Sequence, residues 1–219
     1  MKRYLLPLYI ILFCSCSGKH PVQVDKALIN TPQVVDSIVA GTIYKIALGE
    51  SVIEWVCGNA VLKHHGSFQI QEGYIAGNNT QPLAGKIMIE VASLLPDDAD
   101  STQNAKLREH LLSDDFLDAQ KYLWAIFQLT KVSPIEKRGT YLMIDATHSL
   151  SGNLTIKGIT NNITIPAKVQ FHDHQMMIET SFSIDRKKWN MNYGTDQSLK
   201  DKLIDSDIAM LIRIVAVKS

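Results

Sequence analysis

Between residues 44 and 217 apolar side chains recur at every second position in several separate runs. Ile163, Ile165, Ala167, Val169 and Phe171 share one face of a segment whose other face carries Thr164, Lys168 and Gln170. Leu150, Leu154 and Ile156 oppose Ser149, Ser151, Asn153 and Thr155; Ile178, Phe182 and Ile184 oppose Glu179, Ser181 and Ser183. Ile87, Ile89 and Val91 oppose Lys86 and Glu90. Period two with one apolar face predicts half-buried antiparallel strands, roughly eight to ten of them. Turn chemistry separates them: Gly158 to Asn162 holds a glycine and two asparagines, and His172 to His174 is short and polar.

The last run differs. Ile208, Met210, Ile212 and Ile214 lie on one face, but Leu211 and Val215 are apolar on the other, so a helix or the N-terminal segment is expected to cover part of its outer side. Helical signals are few. Ser101 to Ser113 places Leu107, Leu111 and Leu112 on one side, behind Asp97, Asp98 and Asp100, whose charge suits a helix start. A second short helix is expected over Ser198 to Leu203. Two short helices do not cover one face of a sheet this wide. The sheet can bury that face by curling on itself, so the expected fold is all-β, an antiparallel barrel or a closely related sandwich.

A barrel of about eight strands encloses either packed side chains or one small ligand. The inward candidates are apolar: Ile53, Trp55, Phe68, Ile89, Phe127, Leu154, Ile156, Ile165, Phe182 and Trp189. Periodicity alone does not separate a filled core from a cavity wall. If a cavity exists, its guest should be lipid-like.

The N-terminus reads as an address. Lys2 and Arg3 precede a run of apolar residues to Phe13, and then Cys14-Ser15-Cys16. The run is too short to span a bilayer and fits the core of a secretory signal. Cys16, after a small residue, resembles the lipidated cysteine of a bacterial lipoprotein, so residues 1–15 are expected to be a signal peptide. Residues 16–41 hold two prolines and no sustained period, and are expected to form a flexible stalk to a folded body at 42–219. Of the 3 cysteines, loss of Cys14 and lipidation of Cys16 would leave Cys57 without a disulfide partner. The 22 basic and 22 acidic residues balance. A nucleic-acid binder needs a basic excess that is missing.

Five stretches, in order, resemble the YceI-like family. They are residues 44–58; Lys63-His64-His65-Gly66-Ser67-Phe68; Leu107 to Tyr122, with Asp114-Asp115-Phe116-Leu117-Asp118; Ser151 to Thr160; and Phe182 to Asn190. The likeness spans about residues 42–218. It departs at Leu117, where Phe is common, and at Leu123, where Pro is common. The resemblance implies an extended lipocalin-like barrel, exported to the cell envelope, holding a polyisoprenoid or fatty-acid-type chain. Expected partners are therefore the lipid ligand and, through the anchor, a membrane, with a homodimer left open. No nucleic acid, metal or cofactor is expected. The competing expectation is a filled barrel that binds other envelope proteins through its loops.

Other chemistry is weaker. His172 and His174 lack a ligand cluster at metal spacing, and Asp97, Asp98 and Asp100 lack the glycine and distal glutamate of a calcium loop. They read as solvated residues. His64 and His65 suit a hydrogen-bonded structural or mouth position. Asp145, His148 and Ser149 are close in sequence, but period two sends His148 and Ser149 to opposite faces and no nucleophile elbow surrounds the serine. No enzyme is expected. Cys57 alternates with Ile53 and Trp55 and reads as an inward, inert thiol. Arg186, beside Trp189 at a strand end, reads as structural.

Overall fold

A computed structural model describes residues 23–35, 41–59, 62–78, 80–137, 139–195 and 204–219. The expected signal peptide, Cys16 and the expected helix at 198–203 lie outside the described residues. The strands are β1 (Asp25–Lys26), β2 (Leu28–Asn30), β3 (Thr42–Ile46), β4 (Val52–Gly58), β5 (Lys63–Phe68), β6 (Ile70–Gly77) and β7 (Pro82–Glu90). They continue with β8 (Leu95–Pro96), then helix α1 (Ser101–Leu112), β9 (Trp124–Pro134), β10 (His148–Ile156), β11 (Ile159–His172), β12 (Gln175–Asp185) and β13 (Asp207–Lys218).

Eight of these close a ring in the order β12, β11, β10, β9, β7, β6, β3 and β13, with β13 pairing back onto β12 from Gln175↔Val217 to Asp185↔Asp207. All ring pairings are antiparallel. Closure removes the sheet edges and turns the apolar face inward. The fold is therefore the expected antiparallel barrel. It is extended at one end, because β13 pairs with β3 at Ala216–Lys218 and with β4 at Ala209–Arg213. Strand β4 then carries β5 and β8 outward as a flap.

The β10–β11 turn is not Gly158 to Asn162. Ile156 pairs directly with Ile159, so the turn is Lys157-Gly158, both at positive φ (50° and 72°). Two such residues match the twist of the flanking strands, and the asparagines are already in β11. Asp173-His174 makes the next turn, with Asp173 at φ 47°.

Helix α1 ends one residue before the expected Ser113 and is capped by Asp100, whose Oδ1 accepts from the amides of Thr102 and Gln103 at 3.0 Å. Arg108 ties the helix to the preceding segment by donating Nε–H to the Leu94 carbonyl at 2.8 Å. The helix lies over the flap end of the barrel. There Leu111 packs with Trp55, Leu94 and Phe116 in an apolar cluster separate from the main core.

The expected stalk does not hold over residues 25–30. Strand β1 runs parallel to β12 (Asp25↔Phe182) and β2 antiparallel to β11 (Ile29↔Ile163). Ala27 between them is buried. The Asp25 carboxylate accepts from the amides of Leu142 and Met143 at 2.9 and 3.0 Å, fixing the loop between β9 and β10. Two- and three-residue strands leave no readable period, so the sequence of this strap does not distinguish it from a linker. The turn between β3 and β4 starts beside β13 in the plane of the sheet, where the Ala47 amide donates to the Val215 carbonyl at 2.8 Å.

Candidate ligand-binding lumen

The barrel is not filled by its own side chains. It encloses a cavity of about 200 Å³ whose walls come from β4, β5, β6, β7, β9, β10, β11, β12 and β13, together with α1 and the loops beside it. No polar atom opens onto its surface.

Nine of the ten lumen candidates lie in this wall: Ile53, Trp55, Phe68, Ile89, Phe127, Leu154, Ile156, Ile165 and Phe182. Each comes from an inward position of an alternating strand. Trp189 does not reach it. The chain after Asp185 leaves β12 for a single 3-10 turn, Arg186–Trp189, which breaks the two-residue period. The fully buried indole packs behind the wall and donates Nε1–H to the Leu154 carbonyl at 3.1 Å.

Two glycines set the bore. A Cβ at Gly152 would stand 2.2 Å from Phe127 Cζ, so the missing side chain is the space the Phe127 ring occupies. A Cβ at Gly66 would stand 2.7 Å from Trp55 Cζ2 and 2.2 Å from the Leu95 carbonyl oxygen, so Gly66 admits both the indole and β8.

Residues overlooked in the sequence close the ends. Register orders the lumen: Ile208 opposite Ile184 lies toward α1, and Ile214 opposite Ile178 lies at the far end. The α1 end is walled by Leu111, Phe116, Leu117 and Met191. These come from a helix and irregular segments, where no two-residue period marks an inward side chain. Phe116 is held by edge-on contact with His110, at 5.0 Å between ring centroids, and by Tyr193 at 5.4 Å.

Charge is kept behind this wall. Arg186 is almost completely buried, with its guanidinium 5.6 Å from the Phe116 ring. It donates to the carbonyls of Asp205, Met191, Tyr193 and Ile204 at 3.1, 2.5, 2.8 and 3.2 Å. Burial pulls its pKa down, and nearby Cys57, Asp185 and Asp205 oppose that pull. The four carbonyls take four of its five N–H groups without a carboxylate, so its role is to stitch the two chain segments below the α1 end. Cys57 lines the cavity, and burial pushes its thiol up to about 11. A thiol so far from ionisation is a weak nucleophile at neutral pH.

The remaining candidates pair locally. His64 Nδ1 lies 2.8 Å from Asp98 and His65 Nδ1 lies 2.5 Å from Asp97, across β5 and the segment after β8. Asp98 is therefore not a solvated loop residue: its side chain is only 5% exposed. Burial works against its ionised form, but hydrogen bonds from His64 and the His65 amide and the charges of both histidines hold its carboxyl below the usual value. Asp145 pairs with Lys168 at 3.0 Å, and His148 Nδ1 lies 2.9 Å from Thr147 Oγ1.

Both the sequence and the barrel fold have known counterparts. Residues 44–216 match the YceI-like domain. This chain belongs to the YceI-like family. A "UPF0312 protein" of Pseudomonas syringae pv. tomato is 33% identical over 105 residues, which is 47% of each chain. "Protein YceI" of Escherichia coli O157:H7 is 30% identical over 105 residues, 48% of each. The matched stretch thus spans about half the length of these relatives. Among solved structures, Burkholderia cenocepacia BcnA superposes with a TM-score of 0.63 at 19% identity, covering 78% of this chain and 99% of its own. A polyisoprenoid binding domain from Saccharophagus degradans gives 0.57 at 11% identity, covering 80% and 98%. At those identities the likeness establishes the YceI-like fold.

Proposed function

We propose that this YceI-like protein binds a long apolar lipid, of polyisoprenoid or fatty-acid type, in the lumen and carries or shields it from water without transforming it. The observation that carries the reading is the cavity itself, because a void with purely apolar walls is a costly thing for a fold to keep. At ~24 cal/mol per Å³, a space of about 200 Å³ left unfilled costs on the order of 5 kcal/mol, comparable to the net stability of many domains. Cavities of this kind stay dry and take up hydrocarbon. The mechanism is desolvation, at about 0.8 kcal/mol for each methylene buried. The space takes a stretch of chain as it stands. A longer chain would enter by displacing flexible wall residues such as Met191 and Met210.

The polyisoprenoid-binding neighbour supports the same class of ligand. The test is native mass spectrometry and organic extraction of protein purified gently from its own cells. A stoichiometric apolar species is expected. Protein that carries none, and takes up none from isoprenoid- or fatty-acid-loaded vesicles, would overturn the reading.

We further propose that residues 1–15 are a signal peptide and that lipid on Cys16 anchors the barrel at the cell envelope. The apolar run before Cys16 supports this. Short spacing between Cys16 and β1 would then hold the barrel close to the membrane surface. Cys16→Ala should release the protein into the soluble fraction, and unchanged membrane attachment would contradict lipidation there.

A further inference from the structure

The cavity is capped at both ends, and its wall is not equally firm all round. Leu111, Phe116, Leu117 and Met191 close the α1 end. Beyond the other end the core is packed by Tyr44, Ile46, Val169 and Met176, all buried and none of them in the cavity wall. A ligand therefore enters only if part of the wall moves. The ladder between β12 and β13 runs unbroken from Gln175 to Asp185. The ladder between β11 and β12 stops at Lys168↔Glu179. Pro166 has no N–H to carry it on, and its carbonyl accepts the Thr180 hydroxyl at 2.6 Å. From there toward α1 the two strands stand apart, with the N-terminal strap between them. Asp25 and Lys26 pair with Phe182 and Ser183 of β12, and Leu28, Ile29 and Asn30 pair with Thr164, Ile163 and Asn162 of β11.

We propose that the strap is a side door to the lumen. It leaves its slot to let a lipid pass between β11 and β12, and closes again behind it. This rests on the lipid-carrier reading and adds a route to it. The slot is one strand wide, so without the strap β11 and β12 would face each other across two strand spacings of about 4.8 Å each. The residues flanking it, Ile163 and Ile165 on β11 and Phe182 and Ile184 on β12, all line the cavity, and Ala27 and Ile29 pack into the same core. The strap is lightly held. Its one buried residue, Ala27, offers a single methyl group. Its polar ties lie at the surface: Asp25 to the amides of Leu142 and Met143, Lys26 to Asp207 at 2.8 Å, and the Gln33 amide and carbonyl to the Asn153 side chain at 3.0 and 2.7 Å. Short, exposed pairings of this kind open at lower free energy than long core ladders. None of the eight ring strands is lost when the strap leaves.

The test locks the strap in place. Lys26 and Ser183 are register partners, as are Leu28 and Thr164, and opposed residues on paired strands lie within disulfide reach. Two double variants, Lys26→Cys with Ser183→Cys and Leu28→Cys with Thr164→Cys, tie the strap to β12 and to β11 in turn. Each serves as its own reference when reduced. Uptake of farnesol and of palmitate from phosphatidylcholine vesicles, and return of the bound probe to empty vesicles, are timed by native mass spectrometry. Oxidation should slow both directions by about tenfold or more, and dithiothreitol should restore them. Lys26→Glu needs no cross-link and replaces the attraction to Asp207 with repulsion, so it should quicken both. An oxidised form of either double variant that exchanges as fast as its reduced form overturns the door, and so does Lys26→Glu that exchanges no faster than the unaltered protein. Unaltered protein that takes up neither probe removes the carrier reading itself.

Discussion

Gly152 and the Phe127 ring occupy one position in the lumen wall between them: a Cβ at residue 152 would fall 2.4 Å from Phe127 Cε2 as well as 2.2 Å from Cζ. The pair sits at a bulge where β10 shifts register against β9 between Ser151 and Gly152. Gly152→Ala must therefore push the ring further into the bore. It is expected to lose about 1–3 kcal/mol of stability, the usual cost of overpacking, and to bind less lipid. Urea unfolding and lipid loading check the two effects. The double change Gly152→Ala with Phe127→Leu should restore part of both, and if it restores neither, the steric account is wrong.

Asp25 joins the strap to the loop that carries Leu142 and Met143. Its two carboxylate oxygens each accept one amide, so the arrangement stands or falls on a single residue. Asp25→Ala should cost about 1 kcal/mol, modest because the contacts are solvent-accessible. The larger effect should be local. Amide exchange at 142 and 143 should rise well above that of β10, while the β12–β13 ladder stays protected. Unchanged exchange would mean the loop is held by other contacts.

How far the sequence reveals this depends on whether a residue lies in a long regular element. Ile165, Phe182 and Ile89 were readable as inward because long strands repeat every two residues. Trp189 is misplaced by that repeat because β12 ends at Asp185, four residues before it, and the intervening 3-10 turn breaks the period. Asp25 and Leu28 sit in strands too short for any period. Phe116 and Met191 wall the lumen from irregular segments, and Asp98 gained its histidine partner through a contact between β5 and a loop over thirty residues away.

Asp98 gives the fold an acid-sensitive joint. His64 Nδ1 and the His65 amide both bond its carboxylate, at 2.8 and 3.4 Å, linking β5 to the segment leading into α1. Its carboxyl is held below its ordinary value, so the unfolded chain binds a proton there more readily than the folded one. The stability it contributes is complete above the unfolded value, about 3.9, and is lost as pH falls through the lower folded value. Asp98→Asn should accordingly be less stable than the unaltered protein at pH 6, with the gap closing toward pH 3. Urea midpoints measured across that range provide the check. A gap that stays constant would assign the effect to shape and not to charge.

Cys57 carries the opposite sign. Its thiol is pushed up to about 11 by burial in the lumen wall, so above about pH 8.5 the unfolded chain gives up a proton that the folded chain keeps. The contribution is fully present below the unfolded value and is lost as pH rises through the folded one, at up to about 1.4 kcal/mol per pH unit between them. Lysines and tyrosines also titrate in this range, so the relevant quantity is the difference from Cys57→Ala. The unaltered protein should lose more stability than that variant between pH 9 and 11. At pH 8, iodoacetamide should leave Cys57 unmodified in the native protein, as read by peptide mass mapping, and modify it once urea opens the barrel. Bound lipid should slow the residual native reaction further, because the thiol and the chain share one wall. Rapid labelling of the native protein at pH 8, or identical alkaline slopes for the two proteins, would show that Cys57 does not face a closed apolar lumen.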